Sequence, residues 1–361
     1  MLVNLKIQEA RVPVPSDVPL NASPDANAAK LSPVTGDGSG VGEPSAIRKF
    51  LLSRGSSAIA DKGFGWLMLL CACSIFGIVA LICTELVLRS QITISKFGIK
   101  FFFDSAWDPV SGNFGAFPFI YGTLVSSLIA LIIAVPLAIG VSIFITEMCP
   151  RFLRSPLSFL TELLAAIPSV VYGLWAVFIL VPLLREHVDP ILIRVLGWTS
   201  LFMQPDFGVH MLAAGVILSI MILPIISSLT REVMTAVPHA QREAVLALGA
   251  TRWEMVRMGV LRNARIGIVG SIILGLGRAL GETMAVTMVI GNNPQIVKNL
   301  LAPGYSMASV IANEFSEASD DTYRSALIEI GLALFIVTIV VNALARLLVW
   351  AVTRGAPPRT A

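Results

Sequence analysis

IGIVGSIILGLGRALGETMAVTMVI, residues 266–290, is an apolar run that carries Arg278 and Glu282 near its middle. About 20 mostly apolar residues suffice to cross a bilayer as a helix, and this run is long enough. A charge in hydrocarbon costs a few kcal/mol or more, so it persists there mainly where it faces a bundle interior, a water-filled path or a partner. On one continuous helix, residues four apart share a face and lie about 6 Å apart along the axis. A cation and an acid on one face of a spanning helix point to a route for a polar solute. A pair that merely neutralises itself is the competing explanation. Arg before Glu is the less favourable i,i+4 order for helix stability, which weakens that competitor.

The rest of the chain fits a membrane setting. Of 361 residues, 55% are hydrophobic and only 14% charged, with a mean hydropathy of +0.81. Soluble domains carry about 25% charged residues. The net charge of +3 is too small to argue for nucleic acid, and no basic run is interleaved with aromatics. Cys71, Cys73, Cys83 and Cys149 form no CxxC or Cys/His pattern and read as small buried residues. His187, His210 and His239 are isolated and read as structural or solvated rather than metal ligands.

Residues 1–60 are rich in Pro, Ala, Ser, Asn and Gly and lack any helix or strand period, so a disordered cytosolic tail is expected there. No apolar run lies near Met1, and a cleavable signal is not expected. Spanning runs follow at 66–88, 119–145, 160–184, 209–229, 266–290 and 327–348. The expected fold is therefore an all-α polytopic bundle of about six transmembrane helices over 61–354, with a short C-terminal tail at 355–361. Pro136, Pro168 and Pro224 interrupt three of the runs, and packing kinks are the plain explanation of each. Basic residues such as Arg151, Arg154, Arg231, Arg242, Arg252, Arg257, Arg262, Arg265 and Arg354 collect on one set of flanks, while the opposite loops are acidic. The excess of Lys and Arg marks the cytosolic side. Both termini and the 230–265 connection are then cytosolic, and 91–118, 186–208 and 292–324 lie outside.

Within 230–265, Pro238 is placed to open a helix and Gly249 to end it. Thr251 is a candidate N-cap, with Glu254 three residues on. Leu246, Trp253 and Met255 are expected to be exposed on these short helices. They suit either docking to another protein or lying on lipid headgroups.

Glu243–Ala244 followed by Gly249 resembles the EAA loop of permease subunits of ABC importers, with Val245, Gly259 and Arg262 departing from that pattern. Residues 274–286, LGLGRALGETMAV, resemble the signature of PstC-type permeases, the phosphate-specific branch. Three further stretches resemble the same family. They are Trp107–Asp108–Pro109 with Phe114–Gly115–Ala116 and Gly122–Thr123–Leu124; 166–173, AIPSVVYG; and 311–315, IANEF. The resemblance covers about 64–350 and implies a type I ABC importer permease fold.

The resemblance also implies that Arg278 and Glu282 serve phosphate passage. By the same resemblance, Glu243, Ala244, Gly249, Trp253 and Met255 form the coupling element for a cytosolic ATPase. The implied partners are a PstA-like permease, a PstB-like ATPase dimer and a PstS-like phosphate-binding protein, with lipid around the bundle.

Pro168, Gly277 and Gly281 are candidate packing or gating positions, the two glycines forming a small-xxx-small step. The sequence has no Gly-Lys-Ser/Thr P-loop. ATP and Mg are therefore expected on the partner ATPase, with no cofactor, metal or catalytic constellation in this chain. A proton-coupled secondary anion transporter, or a membrane component of a phosphate-sensing complex, are the alternatives.

Overall fold

The computed structural model describes residues 57–203 and 208–353, with side chains over 61–203 and 208–351. The tail expected at 1–60 lies outside the described residues except for 57–60, where the first helix has already begun. The tail expected at 355–361 lies wholly outside them. The chain falls into two units, Met1–Leu70 and Cys71–Ala361.

The helices are α1 (Ser57–Arg89), α2 (Gln91–Phe97), α3 (Phe117–Ile143), α4 (Arg151–Ala166), α5 (Ser169–Trp175), α6 (Met211–Thr235), α7 (His239–Ala247), α8 (Arg262–Leu280), α9 (Met284–Val289), α10 (Met307–Glu314) and α11 (Asp321–Thr353). Wider π-type turns extend α3 to Met148 and α5 to Leu196, and lead into α8 from Arg252. Among the described residues, six helical runs are long and apolar enough to cross a membrane: Asp61–Arg89, Phe117–Met148, Ser169–Leu196, Met211–Thr235, Arg252–Leu280 and Asp321–Ala351. The all-α expectation holds apart from two-residue antiparallel strands, β1 (Trp107–Asp108) and β2 (Asn113–Phe114), with Trp107 opposite Phe114.

Helix α6 is the axis of the bundle. Its apolar window is 61% buried, against 0% for the first span. The closest packing is between α3 and α6, with α8 on another side of α6. Ala130, Ala134 and Ala138 of α3 are fully buried at helical spacing, a small-residue seam that lets a second backbone approach. Ser142 Oγ donates to Ala138 O and bridges to Ser227 O of α6 at 2.8 Å. In lipid the alternative to such a bond is a polar group without a partner.

Two boundaries differ from expectation. The third run was expected as one span over 160–184, but the chain breaks at Ile167 and Pro168 and the span is Ser169–Leu196. Proline pushes the residue before it out of the helical region, and Ile167 is extended at φ −67, ψ 129. Pro168 then serves as the N-cap of α5. The fifth run was expected to continue to 290, but α8 stops at Leu280 and α9 begins at Met284.

Candidate functional site

Arg278 lies in the last turn of α8, and Gly281 caps that turn with its N–H on Ala279 O. Glycine is about 1 kcal/mol poorer than alanine inside a helix, so 281–283 is a natural place for the helix to stop. Glu282 stands in that link, past the helix end. The shared i,i+4 face expected of Arg278 and Glu282 is therefore not formed, and the two make no ion pair among the described residues. Arg278 is exposed in the isolated chain and Glu282 half-buried. At the carboxyl end of α8 a cation also meets the negative end of the helix dipole.

The quoted 166–173 stretch comes to the same place. A Cβ on Gly173 would stand 2.6 Å from Met288 Sδ and 3.1 Å from Ala285 Cα, so α5 can lie against α9 only with glycine there. Tyr172 donates its hydroxyl to Leu164 O at 2.8 Å, across the Pro168 break. Gly275 meets Ile226 of α6 in the same close manner. Gly277, by contrast, faces open space, and Gly281 has only Gly277 O within 4 Å. No helix of the described chain uses that small-residue step.

Gly277 and Arg278 line a groove of about 890 Å³ between α8 and α11. Its other wall carries Thr338, Asn342 and Arg346.

The 230–265 connection folds largely as its sequence suggests. Pro238 is the N-cap of α7, and Gly249 follows the helix at φ +83, in the left-handed region that favours glycine. The Thr251 hydroxyl accepts the Glu254 N–H, and Glu254 Oε2 accepts the Thr251 N–H at 2.8 Å, a complete capping box. Glu243, Ala244, Gly249 and Trp253 are exposed. Met255 is a correction. It is 8% exposed and packs with Met234, Val237, Val256 and Val260 under the loop, so it belongs to a small core. Leu248, at 88% exposure, takes its place on the surface.

Arg242 fixes this element to the bundle. Its Nη2 donates to Glu147 Oε1 at 3.1 Å and to Met234 O at 2.8 Å, and its Nη1 donates to Val237 O. Glu147 belongs to the π-type turn that ends the second span.

At the other end, the Trp107 indole N–H donates to Glu314 Oε2 at 2.9 Å and the Tyr323 hydroxyl at 2.6 Å. Phe114 stacks on Tyr323 at 5.5 Å, and Trp107 stands edge-on to Phe119 at 4.8 Å. The 107–124 and 311–315 stretches thus form one aromatic cluster. Burial pushes the nearby Tyr305 phenol well above its ordinary range.

Sequence reasoning missed the Arg242–Glu147 pair, whose partners are far apart in the chain. It also missed Arg346 and Glu329 in the sixth span. Glu329 is buried beside Thr93, and its Oε2 has no partner among the described residues. Both stand in the 327–348 run, where the argument applied to Arg278 applies equally.

Residues 134–354 match the family profile described as binding-protein-dependent transport system inner membrane component. The chain is 47% identical over 279 residues to the "Phosphate transport system permease protein PstC" of Haemophilus influenzae, covering 76% of this chain and 88% of that one. It is 48% identical over 257 residues to the protein of the same name from Mesorhizobium japonicum, covering 70% and 79%. Among solved structures, a chain of the inward-facing MetNI methionine ABC transporter is 19% identical, covering 68% of this chain and 96% of that one with a TM-score of 0.43.

Proposed function

We propose, from the premise that the chain belongs to the inner membrane components of binding-protein-dependent transport systems and among them to the PstC phosphate permeases, that it forms one half of the anion path of an ATP-driven phosphate importer. The other half is a second, PstA-like permease. A PstB-like ATPase pair in the cytosol supplies the energy, and a PstS-like protein outside delivers phosphate. Both termini and the 230–265 connection lie on the cytosolic side. One observation carries the proposal: Arg278 stands at the broken end of a spanning helix, beside an open groove of about 890 Å³. A guanidinium is always charged and presents a planar fork that suits phosphate oxygens.

Glu282, in the link beyond the helix, accepts a hydrogen bond from a protonated phosphate oxygen. Sulfate has no proton to give at neutral pH and is repelled. The exposed edge made by Glu243, Ala244, Leu248, Gly249 and Trp253 is the docking surface for the ATPase. Closure of the ATPase pair pulls on it and rocks the two permeases between outward and inward states. Coupling requires the anion's affinity to differ between those states.

The test is uptake by the complex reconstituted with its ATPase and binding protein. Arg278→Ala is expected to abolish phosphate uptake, and Glu282→Gln to let sulfate compete. Wild-type behaviour of both variants would remove Arg278 and Glu282 from the path. Omitting the ATPase is expected to abolish uptake. Transport that persists on a proton gradient alone would favour a secondary carrier instead.

A further inference from the structure

We infer that Arg346 is a second contact for the oxyanion, reached from Arg278 along the groove between α8 and α11, an assignment that rests on the anion path proposed for Arg278. Thr338, Asn342 and Arg346 are spaced four apart on α11. That spacing puts them on one helix face, about 6 Å per step and about 12 Å from end to end. All three line the same groove as Arg278. Around them α11 is apolar, with Ile339, Val340, Leu344, Leu347 and Leu348 exposed.

Arg346 by itself has a simpler explanation, which is to reach the headgroups from near the end of the span. That explanation leaves Asn342 and Thr338 unaccounted for. They lie further into the span than Arg346, and a residue that only reaches out to the headgroups needs neither.

The charge of the groove points the same way. Both charged residues lining it are arginines, and no carboxylate is among its lining residues. Two cations on a shared apolar-walled groove favour an anion between them. A phosphate ion suits the groups: each fork in turn binds its charged oxygens as it moves along the groove, and the Asn342 amide both donates to an oxygen and accepts from a P–OH. A Cβ built on Gly270 or Gly277, on the facing wall, meets nothing within 4 Å. The groove is open where the ion passes.

The experiment uses the full complex with its binding protein in proteoliposomes, measuring phosphate uptake and ATP hydrolysis together. One set of vesicles is neutral phosphatidylcholine and the other contains anionic phosphatidylglycerol. Arg346→Gln is expected to lower maximal uptake at least about tenfold in both lipids, as the loss of a charge-assisted contact does. Arg346→Lys is expected to keep only part of the activity, since it restores the charge but not the planar fork, and Asn342→Leu to lose part of it. A deficit confined to anionic vesicles would overturn the inference in favour of a headgroup site. Normal uptake by Arg346→Gln while Arg278→Gln is inactive would overturn this inference alone. Normal uptake by both would overturn the path itself. If Arg346→Gln does not assemble, Asn342→Leu decides: undiminished uptake in that variant overturns the inference.

Discussion

Arg242→Ala removes the clamp that ties the proposed docking element, 239–254, to the second span. The Arg242 and Glu147 side chains are only 11% and 9% exposed. Breaking a buried pair from one side costs about 3–5 kcal/mol, because the remaining charge is left without a partner. This pair has water within reach at one edge, so about 2–4 kcal/mol is the fitting range. The two carbonyls that Arg242 also satisfies, Met234 O and Val237 O, keep the cost from falling lower. The loss acts where α7 meets the end of α6, not on the α3–α6 seam, so the bundle stays folded and the docking element opens locally. At about 1.4 kcal/mol per tenfold, amide exchange over 239–247 should rise about 30- to 700-fold.

Hydrogen exchange read by mass spectrometry on the purified complex measures this directly. The double variant Arg242→Met, Glu147→Leu should recover much of the protection, since replacing both ions with apolar groups is often near neutral. It should not recover the tight coupling of ATP hydrolysis to uptake, because the direct bond between docking element and span is gone. Unchanged exchange over 239–247 in Arg242→Ala would refute the clamp. So would a double variant as damaged as the sum of its parts.

Two further predictions concern packing and capping. Gly173→Leu should lower the thermal stability of the complex, by about 1–3 kcal/mol for an overpacked contact, since the Met288 side chain can move aside but the Ala285 backbone cannot; an unshifted melting curve would show that α5 and α9 are not held together. Thr251→Ala should cost about 0.5–2 kcal/mol of local stability, seen as faster exchange confined to the turn after Thr251, and equal exchange in Thr251→Ala and wild type would discount the capping box.

The spanning runs and the punctuation of the docking element were legible because each rests on local chemistry. Hydropathy marked the helices, and Pro238, Gly249 and the Thr251–Glu254 box marked where short ones start and stop. The end of α8 at Leu280 was hidden, because 266–290 reads as one run by hydropathy, its several glycines do not single out Gly281, and nothing nearby in the chain shows that α9 turns to meet Gly173. Met255 was misplaced for a related reason. Its burial depends on Met234 of α6 and Val237 of the turn after it, and an isolated amphipathic segment does not say which of its apolar residues will be covered. Arg346 was legible in principle, by the same cost of charge in lipid that singled out Arg278. The spacing back to Asn342 and Thr338 gains meaning only once α8 stands opposite.

Because α8 ends at Leu280, the carbonyls of its final turn are left with few helical partners and give that end of the helix a partial negative charge. On the anion path proposed for Arg278, that partial charge opposes the hold of the guanidinium on the ion. The stop in the helix thereby limits dwell time. A permease needs such a restraint, since an ion held too well is an inhibitor of its own transport.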